Sequence, residues 1–126
     1  MSSVLDASAV LAILNREPGG EVAASRLSDA AMSVVNAIEV GSKLMDGGMT
    51  FEAAWEALDL LDVPLWDLDM DITKAATALR GQTRSKGLSL ADRVCLALAI
   101  REGSTAVTAD RAWAALDVGC KIELIR

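Results

Sequence analysis

A chain of 126 residues with 52% apolar and 24% charged side chains can bury the core of one compact domain and is too apolar to be disordered. It contains no histidine and no tyrosine, which excludes Ser-His-Asp and Cys-His catalysis and imidazole-based zinc sites; chemistry near neutral pH then needs a perturbed carboxylate, a lysine or a metal-bound water. The net charge of −6 is unevenly spread, with acids and no base over residues 44–73 but Lys74, Arg80, Arg84 and Lys86 and no acid over 72–91, so overall acidity does not exclude a nucleic-acid partner.

Short apolar runs alternate with helical patterns, which predicts an α/β fold with a mainly parallel central sheet of about four to five strands flanked by helices. No linker or repeat divides the chain, so residues 1–126 are expected to form a single domain. Ser3–Leu5 reads as a first strand, followed by a helix from Ala7 to Arg16, a break at Pro18-Gly19-Gly20, and a helix over Glu21–Ser28. A strand over Ala31–Val35 leads into a helix from Ala37 to about Asp46, ended by Gly47-Gly48. Thr50 is placed to cap Phe51–Leu61, where Phe51, Ala54, Trp55, Leu58 and Leu61 recur at helical spacing. Val63–Leu68 reads as a strand, Asp71–Lys86 as a longer helix, and Leu90–Arg101 as a helix so apolar that it must be buried. Ala106–Thr108 is a short strand, Arg111–Ala115 a short helix and Lys121–Ile125 a final strand.

The run Val4 to Leu14 is interrupted by Asp6 and is far shorter than the roughly 20 residues that span a bilayer, and it has neither a basic leader nor a cleavage site, so no membrane role is expected. Cys95 and Cys120 lie in apolar surroundings without C-x-x-C spacing and read as reduced thiols of a cytoplasmic protein. The alternating acids of Trp66-Asp67-Leu68-Asp69-Met70-Asp71 lack the glycine and the glutamate of a calcium loop, with Ile72 and Ala78 in those places, and read as a strand end and helix cap. Trp55, Trp66 and Trp113 are dispersed among aliphatic residues, as core or dimer-contact side chains are.

Parallel sheets bind ligands beyond the carboxyl ends of their strands, where the following helices start. Four carboxylates fall at such junctions: Asp6 after the first strand, Glu39 at the start of the third helix, Asp92 at the mouth of the buried helix and Asp110 after the strand ending at Thr108. Each has a local explanation. Asn36-x-x-Glu39 and Ser89-x-x-Asp92 have capping-box spacing, Asp6 and Asp110 suit N-caps, and Glu39 can pair with Lys43 one turn on. Brought to one edge, however, four carboxylates repel one another and raise each other's pKa until protons or a cation neutralise them. Only Arg93 and Arg111 adjoin them in sequence, and a hard divalent cation such as Mg2+ or Mn2+ suits an all-oxygen donor set. Ser8 and Thr108, each two residues from an aspartate, could support them by hydrogen bonds.

The ordered set "VLDASAVLAILNREPG", "SVVNAIEV", "GLSLADRVCLALA" and "VTADRAW" followed by "KIELI" resembles the PIN-domain ribonucleases, especially the VapC-type toxins of bacterial toxin–antitoxin pairs. The likeness runs over nearly the whole chain. It implies a single PIN-like domain whose acidic quartet is Asp6, Glu39, Asp92 and Asp110, holding Mg2+ or Mn2+ for hydrolysis of RNA phosphodiesters, with Ser8 and Thr108 in support. It also implies a cognate antitoxin and a homodimer. Many members carry another acid where Ala112 stands here, which bears on a second metal. Arg80, Arg84, Lys86 and Arg93 are candidates for contacts to the RNA backbone, the alternative being an ordinary solvated face. Two other functions stay open: a binding module that keeps the fold but cleaves nothing, and phosphoryl transfer through Asp6 as nucleophile, against which stand the missing D-x-D pair and the absence of a late strand-end lysine.

Overall fold

The computed structural model describes residues 1–126. Its elements are β1 (Ser3–Leu5), α1 (Ala7–Leu14), α2 (Gly20–Ala24), β2 (Ala30–Ser33), α3 (Val34–Asp46), α4 (Phe51–Leu60), β3 (Leu65–Trp66), α5 (Met70–Ala78), α6 (Arg80–Thr83), α7 (Leu90–Glu102), β4 (Thr105–Thr108) and β5 (Ile122–Leu124). Single 3-10 turns lie at Leu27–Asp29, Arg84–Lys86 and Arg111–Ala115. All five strands are parallel, in the order β3-β2-β1-β4-β5. Val4 of the central strand β1 sits between Ala31 of β2 and Ala106 of β4.

Strand alternation divides the core between the two faces of the sheet. Leu5, Met32 and Val107 face one side with α1, α3 and α4, where Val10, Ala37, Val40, Leu44, Ala54 and Leu58 pack over them. Val4 and Ala106 face the other side, under Ile72 and Ala76 of α5 and the Val94–Ala99 stretch of α7. With both faces covered, β1 is buried throughout, and no helix of the molecule is long and apolar enough to cross a membrane.

The structure corrects several boundaries; the helix expected over Glu21–Ser28 spans Gly20–Ala24 and is followed by the 3-10 turn at Leu27–Asp29. Val34 and Val35, read as strand from their β-branching, open α3, because Ser33 takes an extended conformation and its Oγ accepts a hydrogen bond from the Asn36 amide at 3.0 Å. Asn36-x-x-Glu39 is therefore not a capping box: Asn36 is the third helical residue, and Glu39 lies in the second turn. The helix expected over Asp71–Lys86 breaks after Ala78 into α5, the short α6 and a 3-10 turn, with the buried Thr83 hydroxyl donating to the Leu79 carbonyl at 2.8 Å. The strand expected over Val63–Leu68 shrinks to Leu65–Trp66 at the sheet edge. Pro64 there accepts from the Met32 amide but has no N–H to donate, and Asp69 already turns the chain as the N-cap of α5.

The α1–α2 packing depends on a glycine. A Cβ on Gly20 would fall 2.4 Å from the Ala12 carbonyl oxygen, a backbone atom that cannot move aside. Gly20→Ala is expected to destabilise the fold by about 2 kcal/mol or more through overpacking, read as a lower denaturation midpoint with an unchanged slope.

Candidate active site

β1 and β4 lie side by side at the point where the strand order reverses, so the segments that follow them start at the same edge of the sheet. Asp6 follows β1 and caps α1 at 3% exposure. Its Oδ1 accepts from the Ala9 amide at 3.0 Å and the Ser8 hydroxyl at 2.7 Å. Its Oδ2 accepts from the Thr108 hydroxyl at 2.8 Å. Each hydroxyl then turns its oxygen to β4 and the residues after it: the Ala109 amide donates to Ser8 Oγ at 2.9 Å, and the Asp110 amide to Thr108 Oγ1 at 3.0 Å. Each hydroxyl has one proton and spends it on Asp6, so the 3.2 Å between the two hydroxyl oxygens is a contact without a shared hydrogen.

Burial dominates the charge state of Asp6. Desolvation pushes its pKa up to about 6 despite the three hydrogen bonds, and the negative charge of Asp92 adds to the rise. Asp92 is half-buried at the third position of α7, in the capping box its spacing predicts: the Ser89 amide donates to Asp92 Oδ2 at 2.9 Å, and the Asp92 amide to Ser89 Oγ at 3.1 Å. Its pKa is also raised, first by burial and further by Asp110, against hydrogen bonds from Ser89 and the opposing charge of Lys43. Asp110 is exposed and caps the following 3-10 turn through its Oδ1, which accepts from the Ala112 amide at 3.0 Å. One turn after Asp92 in α7, the fully buried Cys95 thiol feels both Asp6 and Asp92, and burial holds it well above the ordinary thiol range.

Asp6, Asp92 and Asp110 are thus electrostatic neighbours. Glu39 joins them through Lys43, whose ammonium lies 3.9 Å from Glu39 Oε2 and also acts on Asp92. Asn36, read from the sequence as a helix cap, is instead fully buried inside the α3 start: it takes the Ser33 hydroxyl proton on Oδ1 at 2.7 Å and points its Nδ2 at the Ala91 carbonyl of α7, 3.4 Å away. Its signal was the spacing Ser33-x-x-Asn36, hidden because the intervening valines looked like strand. Of the basic candidates, Arg80, Arg84 and Lys86 are exposed. Arg93 is half-buried, with Nη1 donating to the Ala76 carbonyl at 3.0 Å and Nε sealed without a partner, so its guanidinium ties α7 to α5.

The donor set fits a hard divalent cation in chemistry: carboxylate and hydroxyl oxygens, raised pKa values, and no protein donor on Asp92 Oδ1 or Asp110 Oδ2. No three acidic or cysteine side chains stand close enough to hold one ion between them, so direct ligation would come from one or two carboxylates and otherwise through water.

An α/β domain with carboxylates gathered over its central parallel strands belongs to a class in which the residues after the strands, rather than an enclosed cavity, make the site. The chain belongs to the PIN domain family, whose model matches residues 3–119. Comparison with curated protein sequences gives no match. Among solved structures it is similar to a chain of VapBC2 from Rickettsia felis bound to a promoter DNA fragment, with TM-score 0.76 and 18% identity over 98% of both chains. It is also similar to a chain of DNA-bound VapBC from Salmonella typhimurium, with TM-score 0.75, 17% identity and coverage of 100% and 99%. A chain of the toxin–antitoxin system VapBC-5 from Mycobacterium tuberculosis gives TM-score 0.63 and 24% identity over 99% and 98%.

A carboxylate with its pKa raised from 3.8 to about 6 binds its proton more tightly folded than unfolded. Ionising Asp6 therefore destabilises the fold as pH rises from about 4 to 6, by about 3 kcal/mol once complete. Asp6→Asn removes this pH dependence. Denaturant titrations at a series of pH values in EDTA are expected to show the variant gaining on the parent across that interval and holding a constant difference above it.

Proposed function

We propose that this PIN domain is a Mg2+- or Mn2+-dependent endoribonuclease and the toxin of a VapBC-type toxin–antitoxin pair. The observation that carries the reading is Asp6: a carboxylate buried at a cost, clamped by Ser8 and Thr108, beside Asp92 and Asp110. Simple helix capping needs no such burial, since an exposed side chain caps equally well.

In this reading Asp6, Asp92, Asp110 and Glu39 are the residues that would hold the cation. When bound, the cation would supply a water ionised near neutral pH, a group that a chain without histidine does not have among its unperturbed side chains. Ser8 and Thr108 fix the Asp6 oxygens, and the Ser89 cap fixes the Asp92 carboxylate with Oδ1 free. Arg80, Arg84 and Lys86 are placed on a solvated segment where they can attract an RNA backbone; Arg93 supports α7 from within.

The toxin reading is supported by the likeness to chains from VapBC complexes and from the Klebsiella pneumoniae toxin–antitoxin complex. It brings a cognate antitoxin as partner, a homodimer and a cytoplasmic setting, with which the two free thiols agree. A groove of about 180 Å3 between α3 and α4, lined by Ile38, Met45, Phe51 and Trp55, offers the antitoxin an apolar seat. A second reading, a PIN-fold binding module, is favoured by Ala112 and by the spread of the carboxylates. The phosphoryl-transfer alternative still lacks the D-x-D pair after β1 and a lysine at a late strand end.

Purified protein with Mg2+ or Mn2+ is expected to cleave structured RNA and to stop in EDTA. Asp6→Asn and Asp92→Asn should lose more than the roughly 10- to 100-fold typical of residues behind a metal ligand, and Thr108→Val should lose about that much. Antitoxin binding without cleavage of any cellular RNA would select the binding module; labelling by a phosphodonor would select phosphoryl transfer.

A further inference from the structure

The four carboxylates have three bases close to them in sequence or space, and two are committed elsewhere. Arg93 donates to the Ala76 carbonyl, and Arg111 Nη1 donates to the Arg126 carbonyl oxygen at 2.9 Å. The third, Lys43, sits one turn beyond Glu39 on α3. Helical side chains lean toward the N-terminus, so its four-carbon stem runs back up the helix toward the edge where α3 and α7 both start. Asn36 holds those two starts together through Ala91. There the ammonium reaches Glu39 Oε2 at a loose 3.9 Å and acts on Asp92 across the helix interface. It makes no hydrogen bond to the protein, and its side chain is 58% exposed, so its three donors remain free.

A mobile ammonium among carboxylates has two possible uses. It can stand in for a cation, or it can meet an anion brought there by one. Its loose geometry argues against the first: a counter-charge built for Glu39 and Asp92 would be drawn into hydrogen-bond contact with one of them. Resting on the nuclease reading above, we propose that Lys43 is a substrate-binding residue, donating to a non-bridging oxygen of an RNA phosphate held over the acidic edge. When divalent ions neutralise the carboxylates, the attraction that keeps Lys43 near them weakens, and the ammonium is released toward the substrate. This gives an acidic site a cation of its own for the RNA backbone, one turn from a carboxylate of the quartet.

The test is fluorescence anisotropy of a labelled RNA oligonucleotide with Ca2+ as the divalent ion, over about 50 to 200 mM salt, where each phosphate contact to a single strand contributes about 0.7 to the log–log slope. Lys43→Gln should bind about tenfold more weakly, with the slope reduced by about that amount, and Lys43→Arg should restore most of both. In cleavage assays the Gln variant should raise KM and leave kcat nearly unchanged. Equal melting temperatures establish that the fold is intact. If Lys43→Gln binds RNA with unchanged affinity and slope while binding Mn2+ more tightly, Lys43 is only a counter-charge and the proposal is overturned. If the unsubstituted protein itself binds no RNA with divalent ions present, the nuclease reading falls first and takes this proposal with it.

Discussion

Everything at the working edge of this molecule hangs on a carboxylate that is almost entirely withdrawn from water. Asp6 leaves the central strand, caps α1, and takes hydroxyl protons from Ser8 on its own helix and Thr108 on the neighbouring strand. Those hydroxyls in turn take the backbone amides of Ala109 and Asp110. A single buried side chain thereby fixes the entry into one helix and the exit from a strand about a hundred residues further on in sequence. The arrangement is complete only with Asp6 ionised, yet burial drives it toward protonation. Fold and charge are in tension at this point, and the tension is relieved by whatever positive charge arrives.

The surrounding charges fit that logic. Asp92 is presented by the capping box of a helix whose following residues, Val94 to Ala99, are all buried, so the carboxylate has almost no freedom to swing away. Asp110 is anchored by one oxygen, leaving the other open. Glu39 is the outlier, half-exposed and held to the group by way of Lys43. Preorganisation thus falls off outward from Asp6, from a fully bonded buried group to a mobile ion pair. On the proposed reading, a cation would meet rigid oxygens at the bottom of the site and adaptable ones at its rim.

Much of this was legible in the sequence because it follows from order along the chain. Alternating apolar runs and helical patterns specify a parallel sheet and put Asp6 and Asp110 just after strands, while the adjacency of those two strands comes from the fold and not from their order along the chain. Asp92 was legible through Ser89, since a capping box is a local device. What stayed hidden depends on partners distant in sequence. The Arg93 guanidinium looked free because nothing near it reveals the Ala76 carbonyl of α5. Val34 and Val35 favoured strand on their own, and the Ser33 cap overrode them. Lys43 was read only as the i+4 mate of Glu39, because its reach toward Asp92 exists only after α3 and α7 are packed.

The two deepest aspartates would fare differently if selection for activity were ever lifted. Asp92 bonds the Ser89 amide and holds the first turn of the helix that fills half the core, so a descendant with no chemistry to perform would still be under pressure to keep an acid there. Asp6 also ties α1 to the end of β4, but that tie does not require its charge. An asparagine or serine caps a helix about as well and brings no buried charge. Drift in an idle lineage should therefore erase Asp6 first and leave Asp92 standing. The residue after the first strand, and not the one heading the buried helix, is the place to look when asking whether a relative of this protein is still at work.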